Sequence, residues 1–269
     1  MGSLSLARTK IEGLVSAAPG RIGLVIKDLV TGDLLQWSAD ERFPSASLIK
    51  IPILVEALRQ AQSDPLMLEE RVPIYPETRA EGSGILKELP SVESASLLDL
   101  LTLMIIVSDN TATNLCIERL GMAAVNDTIA TLGLKTTVLQ RRMMDIAARD
   151  RGLDNFTSAA DIAHILELLA TGKFLTRERC AQAIGIMERQ QLNDRIPRLL
   201  PPEVKVAHKT GALPGLCHDA GILQWESHEI IVAALTQGFP EPEAGLVDQA
   251  AGILIARIGR MVYEAAAKN

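Results

Sequence analysis

The spacing of hydrophobic residues divides the chain into a helical middle and two ends that contain strands. Residues 6–17 repeat with helical spacing, and Pro19-Gly20 ends this pattern. The predicted strands, which are short apolar runs bounded by turn residues, occupy residues 22–26, 34–37, 204–208, 221–224 and 230–236. Between residues 47 and about 169 the period is helical, and a long amphipathic helix is predicted from about residue 243 to 266.

This order of elements predicts an α/β protein of the α+β type. Strands at both ends favour one antiparallel five-stranded sheet flanked by the terminal helices, with an all-α subdomain inserted between its second and third strands. We assign residues 1–42 and 195–269 to the α/β subdomain and residues 43–194 to a mainly α-helical subdomain. The cleft between them is the expected active site.

The composition argues against several classes of partner. A chain of 269 residues with 48% hydrophobic residues can bury a large core, so one folding unit is expected. The net charge of −6 provides no cationic surface for nucleic acid or anionic lipid. No apolar run reaches the roughly 20 residues of a membrane span. We therefore expect neither nucleic acid nor a membrane as partner, and we expect a monomer.

No metal or other cofactor is expected. Cys116, Cys180 and Cys217 are widely separated, and no two histidines have the spacing of a helical metal site. The first eight residues lack the basic, apolar and small-residue regions of a secretory signal. The protein is therefore expected either to stay in the cytoplasm or to have lost a leader.

The first motif that can carry chemistry is S-x-x-K at residues 47–50. On a helix, a spacing of three residues would place the Lys50 amine on the same face as the Ser47 hydroxyl. A serine is a weak nucleophile until a base accepts its proton, and a desolvated lysine can be neutral enough to do so. The alternative is that Lys50 is a solvated helix charge. Because Pro52 lacks an N–H, we expect an irregular first turn.

The second motif, Ser108-Asp109-Asn110, follows the apolar run 97–107. Its hydroxyl could relay protons, and its amide could bind a substrate. The alternative is a helix cap, since all three residue types favour helix ends.

The third motif, Lys209-Thr210-Gly211, follows the strand predicted at 204–208. It offers a cation, a hydroxyl for a substrate carboxylate, and a glycine that permits close approach of the backbone. The three motifs in this order are far less probable by chance than any one of them.

Together the motifs resemble those of the serine penicillin-recognising enzymes, which include the class A β-lactamases and the penicillin-binding proteins. The resemblance extends to residues 41–44 and 109–115. It implies a β-lactamase/transpeptidase-like fold and a serine hydrolase of the class A type that opens β-lactam amides through an acyl-enzyme. The implied substrate is a small-molecule β-lactam or a D-alanyl peptide.

The resemblance also implies a role for each residue of the first two motifs. Ser47 would be the acylated nucleophile, and Lys50 and Ser108 would handle protons. Asn110 would contact the substrate amide.

The substrate-binding edge implied by the resemblance is Lys209, Thr210, Gly211 and Ala212. Lys209 and Thr210 would hold the substrate carboxylate. The backbone N–H groups of Ala212 and Ser47 would form the oxyanion hole, in which each donor contributes a factor of roughly a hundred to a thousand in rate.

The chain departs from the class A pattern in two segments. Class A β-lactamases have an E-x-x-L-N loop whose glutamate activates the deacylating water, and residues 139–147 lack it. A methionine or an arginine stands at the glutamate position, with Asp145 as the only nearby carboxylate. Acylation should survive and deacylation should be slow. In addition, residues 212–219 contain no arginine to help bind a substrate carboxylate.

Two other functions stay open at this point. One is a D,D-peptidase or esterase on the same scaffold that releases β-lactam acyl groups slowly, and the other is a β-lactam sensor that is acylated once. A Ser-His-Asp arrangement through His218-Asp219 is disfavoured because adjacent strand residues point to opposite faces. Residues 81–85 are expected to form either a mobile or sharply turned lid or a plain surface loop.

Overall fold

The computed structural model of the chain describes residues 4–240 and 250–267. The helices within these residues are α1 (Ser5–Ser16), α2 (Lys50–Ser63), α3 (Leu97–Ile106), α4 (Asn110–Leu120), α5 (Met122–Thr131), α6 (Ile146–Asp150), α7 (Ala159–Thr171), α8 (Arg177–Met187) and α9 (Ala250–Ala266). The strands are β1 (Arg21–Asp28), β2 (Leu34–Trp37), β3 (Phe43–Pro44), β4 (Arg71–Pro73), β5 (Ser94–Ser96), β6 (Phe156–Thr157), β7 (Lys205–Leu213), β8 (Leu216–Trp225) and β9 (His228–Gln237).

The main sheet has five strands in the order β2-β1-β9-β8-β7, and every neighbouring pair is antiparallel. This confirms the predicted sheet, with the helical middle of the chain entering between its second and third strands in sequence. The division into 1–42 with 195–269 and 43–194 stays a prediction. For the predicted C-terminal helix, residues 243–249 lie outside the described residues.

The strands β7 and β8 are longer than the apolar pattern predicts. They pair as far as Leu213 and Leu216, and the turn between them is Pro214-Gly215, with Gly215 at φ 67°. A Pro-Gly pair is a turn signal, and the polar residues beside it obscured the strands. The third motif therefore lies inside β7 and not after a strand.

Alternate residues of the strands enter two hydrophobic cores, one on each face of the sheet. Val25, Ile222 and Leu235 pack with the helical middle of the chain. Leu24 and Val232 pack on the other face with residues of α1 and α9. The sheet is thus the central layer, and its edge strand β7 faces the helical residues that begin at position 46.

The cysteines are buried free thiols. Burial raises the pKa of the Cys217 thiol to about 11, so it stays protonated at neutral pH. In the described ranges, no group of three or more His, Cys, Asp or Glu side chains could hold a metal ion. No helix in these ranges is long and apolar enough to cross a bilayer.

Candidate active site

Ser47 lies on a short 3₁₀ turn that precedes a helix. The turn spans Ala46–Ile49, and α2 begins at Lys50. Pro52 is the third residue of α2, where its missing N–H costs little because amides in the first turn have no intrahelical acceptor. The irregular start expected from the proline is therefore present, and the regular helix begins three residues after Ser47.

A cavity of about 330 Å³ contains Ser47 in its wall. Asn110 of the second motif and Ala212, the residue directly after the third motif, line the same cavity. Ala46, directly before Ser47, has φ 44°, a left-handed conformation that is uncommon for a non-glycine residue. The nucleophile predicted from sequence is thus presented on a constrained turn at the cleft.

Lys50 is fully buried, and three oxygen acceptors surround its amine. Nζ donates to the Ser108 carbonyl oxygen at 2.8 Å, to Ser108 Oγ at 3.0 Å and to Asn110 Oδ1 at 3.1 Å. Burial lowers the pKa of the Lys50 amine to about 7, although the nearby Asp109 carboxylate raises it. The solvated-charge alternative is wrong, and the amine can exchange a proton near neutral pH.

Asp109, the middle residue of the second motif, has a structural role that its neighbours do not share. Its Oδ1 accepts from the amide of Ala112 at 2.9 Å and so caps α4. Its Oδ2 accepts from the amides of residues 85 and 86 at 2.7 and 2.9 Å. The helix-cap alternative is therefore correct for Asp109, whereas Ser108 and Asn110 contact Lys50.

The glycine-rich loop 81–85 is sharply turned and bonded to the second motif. The Asn110 amide donates to the Ser83 carbonyl oxygen at 2.9 Å, and Asn110 Nδ2 donates to the Glu81 carbonyl oxygen at 2.9 Å. Gly82 and Ser83 line the cavity that contains Ser47. The loop is thus sharply turned, as one expectation has it, and forms part of the cleft wall, although most of its residues are exposed to solvent.

Gly84→Ala is expected to destabilise the protein by about 2 to 4 kcal/mol. Gly84 has φ +113°, and an added Cβ would collide with the Asp109 carboxylate and Cα. Urea unfolding measures the loss. Gly133→Ala is the matched control because Gly133 has φ +71° and nothing within 4 Å of the added carbon. Equal losses in the two variants would contradict a collision with Asp109.

The third motif lies close to the turn that carries Ser47. A Cβ added to Gly211 would lie 3.3 Å from the Ala46 Cβ and 3.4 Å from the Ser45 carbonyl oxygen. Glycine therefore lets β7 approach the nucleophile turn closely. This approach brings Ala212 into the cavity wall.

Lys209 is fully buried, and its Nζ donates to the Thr210 carbonyl oxygen at 2.9 Å. Burial, with the positive charges of Lys50 and Arg195, lowers the pKa of Lys209 well below its usual value, against the opposing effect of Asp219. Burial therefore disfavours the charged form of the lysine of the third motif.

The Arg195 side chain contacts β7, a contact that was not predicted from the sequence. Its Nη1 donates to the carbonyl oxygens of Gly211 at 3.2 Å and His218 at 2.7 Å. The side chain is buried, and Arg195 precedes a 3₁₀ turn, Ile196–Leu199, that is separate in sequence from the β7–β8 hairpin. No local pattern signals this contact, because it joins a loop to a strand.

Similarity to known proteins shows the family of the chain. A family model described as the β-lactamase enzyme family matches residues 6–266. The chain belongs to this family. A β-lactamase of Streptomyces albus G is 29% identical over 272 residues, covering 96% of the chain and 86% of the relative.

Solved structures of PBP-A and of class A β-lactamases share the fold. PBP-A has a TM-score of 0.87 at 31% identity, covering 99% of this chain and 97% of that one, and a mutant of it is an acyl-enzyme complex with penicillin G. A class A β-lactamase from Mycobacterium abscessus has a TM-score of 0.84 at 25% identity, covering 96% and 98%. The chain is a hydrolase of the class A β-lactamase type, which confirms the resemblance and the fold.

In this β-lactamase a methionine stands where the deacylating glutamate was expected. Asn114 holds Met143 at both backbone atoms, with Oδ1 accepting from its N–H at 2.8 Å and Nδ2 donating to its carbonyl oxygen at 3.1 Å. Met143 and Met144 line the cavity. Arg142 instead pairs with Glu118 at 3.2 Å. Met143 therefore borders the cavity, whereas its neighbour Arg142 is not among the residues that line it.

Neither carboxylate near this β-lactamase loop is free to replace the glutamate. Asp145 caps α6, with Oδ1 accepting from the Ala148 amide at 2.8 Å, and does not line the cavity. Asp154 lines the cavity but forms an ion pair with Arg141 at 2.8 Å. The lining residues, all within the described ranges, include no other Asp or Glu.

His218 cannot serve as the base of a Ser-His-Asp arrangement. Its Nε2 donates to the Pro44 carbonyl oxygen at 2.9 Å, and its Nδ1 accepts from the Thr236 amide at 3.0 Å. Burial lowers the pKa of His218 to about 4, so the ring is neutral. Asp219 contacts a different side chain, His208, as expected for adjacent residues of one strand.

Proposed function

We propose that the protein opens β-lactam amides by acyl transfer to Ser47 and releases the acyl group slowly. The observation that carries the proposal is the buried Lys50 amine, hydrogen-bonded to Ser108 Oγ beside the cavity that contains Ser47. A base with a pKa near the working pH can both accept and return a proton. A neutral Lys50 amine is therefore suited to activating the serine.

In the proposed acylation, Lys50 accepts the Ser47 hydroxyl proton while Oγ attacks the lactam carbonyl carbon. The backbone N–H groups of Ser47 and Ala212 stabilise the resulting oxyanion. When the C–N bond breaks, the Ser108 hydroxyl gives its proton to the lactam nitrogen and receives one from Lys50. The products are a Ser47 ester and an opened ring, and Lys50 is neutral again.

The carboxylate of the substrate is proposed to bind at β7. The Thr210 hydroxyl and the Lys209 amine supply hydrogen bonds, as the family resemblance implies. Arg195 supplies the permanent charge, because a guanidinium stays protonated whereas burial lowers the pKa of Lys209. This arrangement offsets the absence of an arginine in residues 212–219.

Slow deacylation is proposed because Met143 has no basic atom to activate water. The acyl-enzyme of a PBP-A mutant with penicillin G supports acylation by a β-lactam on this scaffold. The acyl-enzyme of the PBP-A mutant also favours a second candidate function. This is a D,D-peptidase or esterase that turns over peptides or simple esters and is trapped by penicillins. Both functions use the same acylation machinery and differ in the acyl group released.

Intact-protein mass spectrometry after mixing with benzylpenicillin tests the proposal, with time points from seconds to hours. We expect an adduct that forms quickly, persists, and is absent from Ser47→Ala. If the adduct clears with many turnovers, the slow-release part is wrong. If the benzylpenicillin adduct persists but the acyl group from a D-alanyl peptide or a simple ester is released with many turnovers, the second candidate is correct. No Ser47-dependent adduct would contradict β-lactam chemistry at this serine.

A further inference from the structure

A histidine and an aspartate are buried behind β7 and take no part in the steps above. His208 precedes the third motif, and Asp219 lies opposite Thr210 on β8. His208 Nδ1 lies 2.8 Å from Asp219 Oδ1, and both side chains are almost completely buried. Because His208 and Lys209 are adjacent on a strand, the imidazole lies on the opposite face of the sheet from the lysine.

The remaining polar atoms of this pair form hydrogen bonds with one residue before Arg195 in the chain and one residue after it. Asp219 Oδ2 accepts from the Ile196 amide at 3.0 Å, and His208 Nε2 lies 3.0 Å from Asn193 Oδ1. Asn193 Nδ2 donates to the Gln190 carbonyl oxygen at 3.2 Å, which orients the amide so that its oxygen faces the histidine. One buried pair thus connects the arginine segment to both β7 and β8.

The Arg195 side chain is buried, but its Nε has no hydrogen-bond partner among the described residues. Nη1 bonds two strand carbonyl oxygens, but the nearest anion, the exposed Asp194 carboxylate, is 3.7 Å from Nε. A free arginine side chain has a large rotamer entropy, so a charge that must meet a carboxylate binds better when it is held in advance. The supporting contacts are made to the Asn193 side chain, two residues before Arg195, and to the Ile196 amide directly after it.

We propose that His208 and Asp219 are positioning residues that hold Arg195 against β7 for recognition of the substrate carboxylate. The proposal rests on the proposed function, in which that carboxylate binds at β7. It predicts that substitutions in the pair weaken binding of substrates that carry the negatively charged carboxylate and leave binding of uncharged substrates unchanged. A pair that only stabilised the sheet would affect charged and neutral substrates alike.

The test compares Ser47 acylation by benzylpenicillin with acylation by its methyl ester, which lacks the charge. The variants are Asp219→Asn, which is nearly isosteric, and Asn193→Ala, which truncates an exposed side chain. For both we expect about a tenfold weaker apparent affinity for benzylpenicillin, an unchanged limiting acylation rate, and no change with the ester. Arg195→Ala gives the full size of the carboxylate effect.

Two controls separate positioning from general damage to the fold. Asn193→Asp retains an acceptor for His208 and is expected to keep the preference for the charged substrate. Gln191→Ala changes an exposed neighbour whose Nε2 bonds only the Arg189 carbonyl oxygen among the contacts described, and should have no effect.

Equal losses with benzylpenicillin and its ester would overturn the positioning role. The positioning role would also be overturned if Arg195→Ala removes the preference for benzylpenicillin over its ester but Asp219→Asn and Asn193→Ala leave that preference intact. In that case the proposed function stands. Absence of any Ser47 adduct in the unaltered protein overturns the proposed function and this inference with it.

Discussion

Lys50→Met is expected to slow acylation of Ser47 by benzylpenicillin by about 10²- to 10⁴-fold, the range that a positioned general base contributes. Methionine fills a similar volume but cannot accept the serine proton. It also leaves Ser108 Oγ and Asn110 Oδ1 without the donor that they share. Stopped-flow or quenched mass spectrometry of the adduct gives the rate. A loss of less than tenfold would contradict the role of Lys50 as the base.

The pH dependence of acylation gives an independent measure of the same residue. Only the neutral amine accepts a proton, and burial lowers the pKa of Lys50 to about 7. The acylation rate should therefore rise with pH, reach half its maximum near pH 7, and level off above it. Lys50→Arg is the control because its guanidinium stays protonated, so this rise should disappear.

Met143→Glu is expected to speed hydrolysis of the penicillin acyl-enzyme by about a hundredfold, at the low end of the range for a general base. Asn114 fixes the backbone of residue 143 from both sides, and the side chain borders the cavity that contains Ser47. A carboxylate at this position could activate water beside the ester. The decay of the Ser47 adduct over time measures the effect.

Two controls show whether position and basicity both matter at residue 143. Met143→Gln has nearly the size of the glutamate but no basic oxygen, and should leave the adduct long-lived. Met144→Glu places the carboxylate one residue away on the same cavity wall, where residue 144 has φ 62°. If Met143→Gln accelerates hydrolysis as much as Met143→Glu, loop disturbance and not base catalysis explains the result.

The sequence was sufficient to predict the sheet and the motif residues, because both depend on local patterns. Strands such as β1 and β9 are buried on both faces of the sheet, so each is visible in the sequence as a continuous apolar run. The contact of Lys50 with Ser108 follows the family resemblance. The structure adds that the lysine is fully buried and that the Asp109 carboxylate accepts hydrogen bonds from the backbone amides of residues 85, 86 and 112.

Other features of the site depend on tertiary contacts that no local pattern records. Arg195 reaches Gly211 from a separate loop, so a search of residues next to the third motif could not find it. The choice between Met143 and Arg142 at the cavity depends on which of them Asn114 holds.

The two buried amines of the site make folding a proton-releasing reaction. In the unfolded chain Lys50 and Lys209 have pKa values of about 10.4, whereas in the folded chain burial lowers both. For Lys50, between pH 7 and this unfolded value, the unfolded chain binds more protons, so the free energy of unfolding rises with pH across that window. On the acid side of the window that stability is missing. Acidification across this window therefore weakens the fold through Lys50, the same amine that is proposed to activate the serine.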